Sequence, residues 1–273
     1  MKTIILATDF SPAAYNAAEY ASDMALQIEA DILLLHVFQA AVSYSDMPVL
    51  INQEDILRSA EKDIHSLKEQ LILKTNNKVN IQTEVRMGGF FYELKDVCKK
   101  FKPYAVVMGS QGTTAAEHIL FGAHTIYALK NLTWPLITVP PGAKFSAVKK
   151  IGLASDFDHV VETIPIDEIK MLVKDFNAEL HILNIGKKDV FDADIVFESG
   201  LMQEMLMGLK PKFHFITGEN TDESIMKFAE RNKIDLLVVI PKRHGLFEQF
   251  IHKSHSKQLV LHSHVPVLAL HHQ

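Results

Sequence analysis

The sequence has almost no cysteine and no surplus of basic residues. Cys98 is the only cysteine among 273 residues, so an intramolecular disulfide cannot form and nothing indicates an oxidising compartment. We expect Cys98 to be a small buried hydrophobic residue of a helix. Lys and Arg number 28 against 33 Asp and Glu, a formal net charge of −5 at pH 7. With that balance and no long basic stretch, we expect no nucleic-acid partner.

Long hydrophobic runs are also missing. The first residues, Met1–Ala7, are mostly apolar, but Asp9 interrupts them before they reach the length of a signal peptide's hydrophobic region. No other stretch approaches the roughly 20 apolar residues that cross a bilayer. We therefore expect a cytoplasmic protein without a membrane partner, in which the apolar start forms a buried first strand.

Motifs for catalysis and metal binding are absent as well. No glycine-rich loop follows the first strand, and no GxxxxGK[ST] occurs, which argues against a dinucleotide fingerprint and a P-loop. No nucleophile has a recognisable partner base, so we assign no catalytic residue. Histidine is plentiful near the end of the chain, but without compact ligand spacing, so we expect surface histidines and no metal site. These are His252, His255, His262, His264, His271 and His272.

Short apolar strands alternate with longer helical patterns throughout the chain, which predicts an α/β fold with a parallel sheet covered on both faces. In the first half, strands are expected at Thr3–Ala7, Asp31–Phe38, Asn80–Arg86, Tyr104–Met108 and Pro135–Val139. Helices are expected at Pro12–Ile28, Ile51–Lys74, Tyr92–Phe101 and Ala123–Leu132. The first helix is the best defined, because Ser11 can cap it and Pro12 suits its first turn.

The same series of elements then begins again. Four segments of the second half match segments of the first in the same order: Lys150–Ala154, Ala178–Ile185, Asp235–Ile240 and Val265–Leu270. The period is too long for a solenoid, so we interpret it as a duplicated domain. Pro140–Ala143 begins a natural linker. The predicted domains are residues 1–142 and 147–273.

The most informative loop follows the fourth strand of the first half. Two residues separate Gly109 from Gly112, and nine residues separate Gly112 from Gly122, which is followed by Ala123. This stretch resembles the G-x2-G-x9-G-[ST] loop of ATP-binding universal stress proteins. The early Thr8-Asp9, the strand end at His36-Val37 and the duplication agree with the resemblance, which extends over both halves. The chain is therefore identified as similar to tandem, two-domain universal stress proteins.

The resemblance implies two Rossmann-like domains of the adenine nucleotide alpha hydrolase type, each a five-stranded parallel sheet of order 3-2-1-4-5 with helices on both faces. It also implies an adenine nucleotide, ATP or similar, with or without Mg²⁺, at the carboxyl ends of the strands. Its implied contacts are Ala7, Thr8, Asp9 and Val37 near the adenosine, and Met108, Gly109, Gln111, Gly112, Gly122, Ala123, His124 and Thr125 around the ribose and phosphates. Glycines there would let the backbone approach the phosphates and permit positive φ.

Two positions of the first loop depart from the family pattern. Ala123 replaces the hydroxyl residue after the third glycine, and Gln111 stands where a positive residue is frequent. The second half departs further, because Pro241 replaces the first glycine and has no N–H to donate. Its loop is basic, however. We keep two interpretations of this loop: a second anion site, or a loop whose charges are solvated. Residues of that second site would be Arg243, Gly245, Lys253, Ser254, His255 and Ser256, next to Lys242 and His244.

These observations lead to one functional hypothesis and two alternatives. The first is a cytoplasmic stress-response protein whose first domain binds an adenine nucleotide as a sensor or regulator. The second is a nucleotide-independent interaction or scaffold protein with degenerate sites, and the third is a weak ATP hydrolase. The resemblance further implies that the two domains pair through their last strands, Leu136–Val139 and Val267–Leu270. Pairing would cover an apolar edge that is otherwise a liability, and the sequence leaves a homodimer open.

Overall fold

A computed structural model describes residues 2–39, 53–110, 124–186, 193–218, 220–241 and 255–271. Within these ranges every strand belongs to one ten-stranded sheet, and helices cover both of its faces. None of the helices in the described part of the chain is long and apolar enough to cross a membrane.

The described residues of the first half form five strands and four helices. They are β1 (Lys2–Ala7), α1 (Pro12–Ile28), β2 (Ala30–Phe38), α2 (Gln53–Lys74), β3 (Ile81–Met87), α3 (Phe90–Phe101), β4 (Ala105–Gly109), α4 (residues 124–131) and β5 (Leu136–Val139). Helix α1 begins as predicted, since the Ser11 hydroxyl accepts a hydrogen bond from the Ala14 amide and Pro12 occupies the first turn. The predicted elements are confirmed to within two residues at the ends that the structure describes.

The second half repeats this order with one additional short helix. Its elements are β6 (Lys150–Ala154), α5 (Val160–Thr163), α6 (Ile166–Phe176), β7 (Glu179–Gly186), α7 (Ala193–Met205), β8 (Lys212–Thr217), α8 (Thr221–Arg231), β9 (Leu236–Val239), α9 (His255–His262) and β10 (Val267–Ala269). A single 3-10 turn, Met207–Leu209, follows α7. The predicted duplication is therefore confirmed element by element.

The strand order of the sheet is β3-β2-β1-β4-β5-β10-β9-β6-β7-β8. Each half has the predicted order 3-2-1-4-5, and all pairs within a half are parallel. The halves meet through one antiparallel pair, in which Ile137 of β5 lies opposite Leu268 of β10. This confirms the predicted pairing of the last strands. The pairing joins two five-stranded sheets into one, so neither β5 nor β10 has an unpaired edge.

Apolar residues at helical spacing in α2 and α7 face the core. In α2, Ala60, Ile64, Leu67 and Leu71 are buried, and in the second half Met202 and Leu206 are buried. Leu201, Met205 and Leu209 pack against the same core at its margin. Cys98 is also buried, as predicted, and its burial raises the pKa of the thiol to about 12.

Contacts beyond the β5–β10 pair also hold the two halves together. The Gln27 amide of α1 donates to the carbonyl oxygens of Val148 and Phe176 and accepts from the Val148 amide. The Lys2 ammonium lies 2.7 Å from the Asp175 carboxylate of α6. One predicted surface histidine proves to be part of this interface. His271 is only 6% exposed, and its Nε2 lies 2.7 Å from the Leu129 carbonyl of α4, because domain packing covers it.

Candidate functional site

The predicted site residues of the first half lie where three parallel strands end. Strand β1 is flanked by β2 on one side and β4 on the other. Asp9 follows β1, Val37 lies near the end of β2, and Gly109 ends β4. Since the sheet order runs 3-2-1-4-5, the chain reverses its winding direction between β1 and β4, and ligand crevices of open α/β sheets form at such a point.

The turn between β1 and α1 is fixed by its own side chains. The Thr8 hydroxyl accepts from the Phe10 amide at 3.0 Å, and the Asp9 carboxylate accepts from the Ser11 amide at 3.1 Å. Phe10 has a φ of +64°, an unusual value for an aromatic residue. Because the side chain of Thr8 is buried and committed to this turn, its role is to shape the loop, while Asp9 keeps a second carboxylate oxygen for other contacts.

A histidine of the neighbouring strand supports this turn. The Nδ1 atom of His36 lies 2.8 Å from the Thr8 carbonyl oxygen, and the His36 and Phe10 rings are 4.5 Å apart. A carbonyl oxygen can only accept, so Nδ1 carries a hydrogen in this arrangement. His36 thus fixes the turn that presents Asp9.

The second half reproduces the turn almost atom for atom. The Ser155 hydroxyl accepts from the Phe157 amide at 3.1 Å, and Asp156 accepts from the Asp158 amide at 3.3 Å. Phe157 has a φ of +55°. Asn184 takes the place of His36 and donates to the Ser155 carbonyl at 3.0 Å. The structural part of the Asp9 turn is therefore retained in both halves, independently of what each half binds.

Close packing against α1 explains why position 109 has no side chain. A Cβ atom placed on Gly109 would lie 3.0 Å from the carbonyl oxygen and 3.2 Å from the Cβ of Ala13. Gly109 pairs with Val139 in the sheet and has no positive φ. The expectation that this glycine supplies a left-handed backbone is therefore wrong, and its missing side chain lets the end of β4 approach α1.

A buried hydroxyl follows immediately. Ser110 is 1% exposed, its amide donates to the Val139 carbonyl, and among the described residues its Oγ has no hydrogen-bond partner. Buried polar groups are rarely left unpaired, so this hydroxyl is a candidate hydrogen-bonding group of the site. Thr125 of α4 is also buried, and its hydroxyl lies 3.4 Å from the Gly109 carbonyl.

His124 lies at the start of the described part of α4, half-buried against the Phe90 ring at 4.9 Å. Burial lowers the pKa of His124, and the negative charge of Asp9 opposes this shift. The imidazole is therefore mainly neutral near pH 7, with one nitrogen able to donate and the other to accept. Asp9 and His124 are 115 positions apart in sequence, and the fold brings them within electrostatic reach.

The other predicted contacts divide into two groups. The side chains of Ala7 and Met108 are buried in the core between the sheet and α3, and Val37 packs at the margin of that core. The remaining predicted residues of the first loop lie outside the described ranges: Gln111, Gly112, Gly122 and Ala123.

The interpretation of the second half as an anion site is not supported by the residues that the structure describes there. His255, at the start of α9, has its Nδ1 2.8 Å from the Asp222 carboxylate at the start of α8. An acidic group at this position repels an anion and already occupies the imidazole. Ser256 is half-buried in the same turn. Lys242, Arg243, His244, Gly245, Lys253 and Ser254 lie outside the described ranges.

Sequence reasoning missed several residues that shape the site. His36 and Phe90 belong to neighbouring elements, and their contacts with Thr8 and His124 depend on the packing of those elements. The position of Ser110 inside the G-x2-G spacing was the available signal for its role. The positive φ of Phe10 had no sequence signal, because glycine, asparagine and aspartate are the usual residues there.

Known proteins match this chain over its full length. A model of the universal stress protein family matches residues 1–140 and again residues 148–271. Universal stress protein Slr1230 of Synechocystis sp. is 23% identical over 295 residues, covering 98% of this chain and 99% of Slr1230. Universal stress protein MJ0531 of Methanocaldococcus jannaschii is 27% identical over 141 residues, covering 50% of this chain and 81% of MJ0531. A crystal structure of a universal stress protein from Archaeoglobus fulgidus has a TM-score of 0.77 at 18% identity and covers 98% of both chains.

Proposed function

This chain belongs to the universal stress protein family of stress-response proteins, and we propose that its first domain binds an adenine nucleotide, ATP or a close relative, as a sensor or regulator. We place this activity in the cytoplasm, in keeping with a chain that can form no intramolecular disulfide. The first domain would be the regulatory half and the second its structural partner.

The observation that carries the proposal is that Asp9 and Ser110 follow neighbouring strands, β1 and β4, and that His124 lies within electrostatic reach of Asp9. Asp9 offers a carboxylate to ribose hydroxyls or an amino group, and Ser110 has a buried hydroxyl without a partner in the described structure. His124 is the first described residue of α4, and we place the phosphates at the beginning of this helix, because amide groups at the start of a helix attract phosphate. We place the flat aromatic base against Val37, at the margin of the apolar core that contains Ala7 and Met108.

The second domain supports a different role. Its Asp156 turn is intact, but the Asp222 carboxylate lies against His255 at the end of the crevice where a phosphate would bind. We propose that this domain retains the fold and the sheet pairing of the family while the phosphate end of its site is lost. One nucleotide per chain is then the expected stoichiometry.

The direct test is mass spectrometry of protein purified without added nucleotide and then denatured, followed by calorimetric titration with ATP in the presence and absence of Mg²⁺. An adenine nucleotide near one per chain, or saturable binding at that stoichiometry, supports the proposal. Neither a copurified nucleotide nor a calorimetric response would favour a nucleotide-independent scaffold. Release of ADP during the titration would instead favour the weak hydrolase.

The duplication supplies a matched pair of variants for the titration. Asp9→Asn keeps one oxygen to accept from the Ser11 amide but removes the charge, and Asp156→Asn makes the same change in the second turn. We expect Asp9→Asn to weaken nucleotide binding about tenfold, because hydrogen bonds to charged groups contribute roughly 1.5–3 kcal/mol. Asp156→Asn should leave the affinity unchanged. Equal effects of the two variants would contradict the assignment to the first domain.

A further inference from the structure

Two histidines of the second domain share one hydrogen bond between neighbouring strands. The Nδ1 atom of His181 in β7 lies 2.9 Å from the Nε2 atom of His214 in β8, and the two ring planes are inclined by only 8°. His181 is 5% exposed. The pair lies far along the sheet from Asp9, next to the last strand in the sheet order, so it has no part in the nucleotide site.

The first domain shows that the fold does not need a polar residue at the position of His181. His181 follows Leu180 in the segment that matches Ile32 and Leu33 of the first half, so Leu33 is its counterpart. Leu33 is buried in the core beneath α3, as His181 is on the matching face beneath α8. An ionisable residue has therefore replaced an apolar one at a buried position, which folding alone does not explain.

The shared hydrogen bond limits how many protons the pair can carry. One ring must donate and the other must accept, which is satisfied when both rings are neutral and also when one of them is charged. With both rings charged, both facing nitrogens carry hydrogens and no lone pair remains. Two positive N–H groups then face each other at 2.9 Å in a buried place. A second proton therefore breaks the hydrogen bond between the two rings.

The surrounding groups do not relieve this conflict. Glu179 of β7 lies 3.4 Å from the His181 Nε2, but its carboxylate is also 2.8 Å from the Lys212 ammonium of β8. Strand β6 presents only Gly152 opposite His181. Helix α8 presents the Phe228 ring, 4.8 Å from His214. Of its charged residues, the half-buried Asp222 is paired with His255, and the others are exposed: Glu223, Lys227, Glu230 and Arg231.

The direction of titration agrees with the geometry. Burial lowers the pKa of His181. Glu179 opposes this shift, and the positive charges of His214 and Lys212 lower the pKa further. Burial also lowers the pKa of His214, and Lys212 adds to that. A histidine whose pKa is lower in the folded state than in the unfolded state stabilises the fold above about pH 6.5, and this stabilisation is lost as the pH falls below that value.

We propose that the His181–His214 pair is an acid-sensitive latch, which holds the outer strand β8 on β7 at neutral pH and releases it when both rings become charged. The released element is the open end of the ten-stranded sheet, where a strand can detach without disturbing the β5–β10 junction. The second domain thereby gains a response to acidification that the first domain lacks. This response is independent of nucleotide binding.

The test is hydrogen–deuterium exchange of the full chain at pH 7.5 and pH 5.5, comparing the wild type with His181→Leu at each pH so that intrinsic exchange chemistry cancels. Leucine is the residue that the first domain uses at this position, so the variant should fold. We expect the ratio of wild-type to variant exchange rates for Lys212–Thr217 to rise about tenfold between pH 7.5 and pH 5.5, since one excluded proton amounts to roughly tenfold at one pH unit below 6.5.

Two internal controls keep the test decisive. Strand β3, Ile81–Met87, is the opposite edge of the same sheet and should show no pH-dependent difference between wild type and variant. His214→Asn removes the other ring and should abolish the acid response as well, which covers the case in which His181→Leu is poorly folded. A wild-type to variant ratio for β8 that is the same at both pH values, or an equal change in β3, would overturn the latch.

Discussion

The Nδ1 atom of His36 lies 2.8 Å from the carbonyl oxygen of Thr8, and this contact has an exact chemical counterpart in the other half of the molecule. There the amide nitrogen of Asn184 donates to the Ser155 carbonyl at 3.0 Å. Two different side chains thus place a donor against the same carbonyl group of a duplicated turn. The turn therefore requires a hydrogen-bond donor on the second strand of each half, and either a histidine or an asparagine can supply it.

We predict that His36→Leu destabilises the first domain and that His36→Asn largely does not. Leucine leaves the Thr8 carbonyl without its donor, which costs about 1–3 kcal/mol for a buried group. Asparagine keeps a donor, as Asn184 shows, and loses only the ring contact with Phe10. Urea unfolding midpoints of the two variants at pH 7.5 test this. Similar midpoints for both variants would show that the ring contact dominates.

We predict that Gly109→Ala is more damaging than the equivalent change at Gly152. The new Cβ of Gly109→Ala meets the backbone of Ala13 at 3.0 Å, so α1 itself must move, and overpacking of this kind costs about 1–3 kcal/mol. At Gly152 the nearest atoms are the ends of the Ile234 and Leu183 side chains, at 3.1 and 3.2 Å, which can rotate away. Thermal unfolding of both variants provides the comparison. A larger loss at Gly152 would contradict this account of Gly109.

We predict that the Cys98 thiol is almost inert in the native protein. Burial raises its pKa to about 12, so at pH 8 only about one thiol in 10⁴ is ionised, against roughly one in four for a free cysteine of pKa 8.5. Labelling with a disulfide reagent at pH 8 should be at least a hundredfold slower in the native state than in urea. Because the chain has no other cysteine, the signal is unambiguous. Rapid native labelling would mean that α3 opens readily.

The fold could be anticipated because its signals are local. Ser11, Pro12 and the apolar spacing that follows them define α1 within a few residues, and its observed bounds match the predicted ones. The strands are short apolar segments between helical patterns, and the duplication gave each of them a second, independent occurrence. The order of the strands came from the family resemblance, and the observed sheet confirms it.

The site was harder to anticipate because its signals are not local. The sequence does not distinguish a glycine that lets a phosphate approach from one that lets a helix pack closely. Only the position of α1 shows that Gly109 makes room for Ala13. The His181–His214 contact joins residues 33 positions apart and depends on the register between β7 and β8. The sequence suggests that His271 lies on the surface, whereas in the folded protein it is buried against α4 of the first domain. Tertiary packing decides each of these cases.

Gln27 provides the last prediction, which concerns how the halves stay together. Its side chain forms three hydrogen bonds with Val148 and Phe176, at 3.0 to 3.3 Å, and so ties α1 to the linker and to α6. Gln27→Ala leaves the Val148 amide and two carbonyl oxygens without these partners, and we expect a loss of about 2–3 kcal/mol in stability. Asn16→Ala, which removes one bond from the same helix to the Pro140 carbonyl, is the matched control.

The measurement for Gln27 is limited proteolysis of the linker, residues 140–149, together with thermal unfolding of the full chain. If Gln27 couples the halves, cleavage should accelerate about tenfold or more in Gln27→Ala and much less in Asn16→Ala, because cleavage follows the population of the locally opened state. If the linker of Gln27→Ala is cleaved at the wild-type rate, the Gln27 hydrogen bonds are not needed to keep the linker closed. In that case the β5–β10 junction, the Lys2–Asp175 ion pair and the contact of His271 with α4 are sufficient to join the two halves.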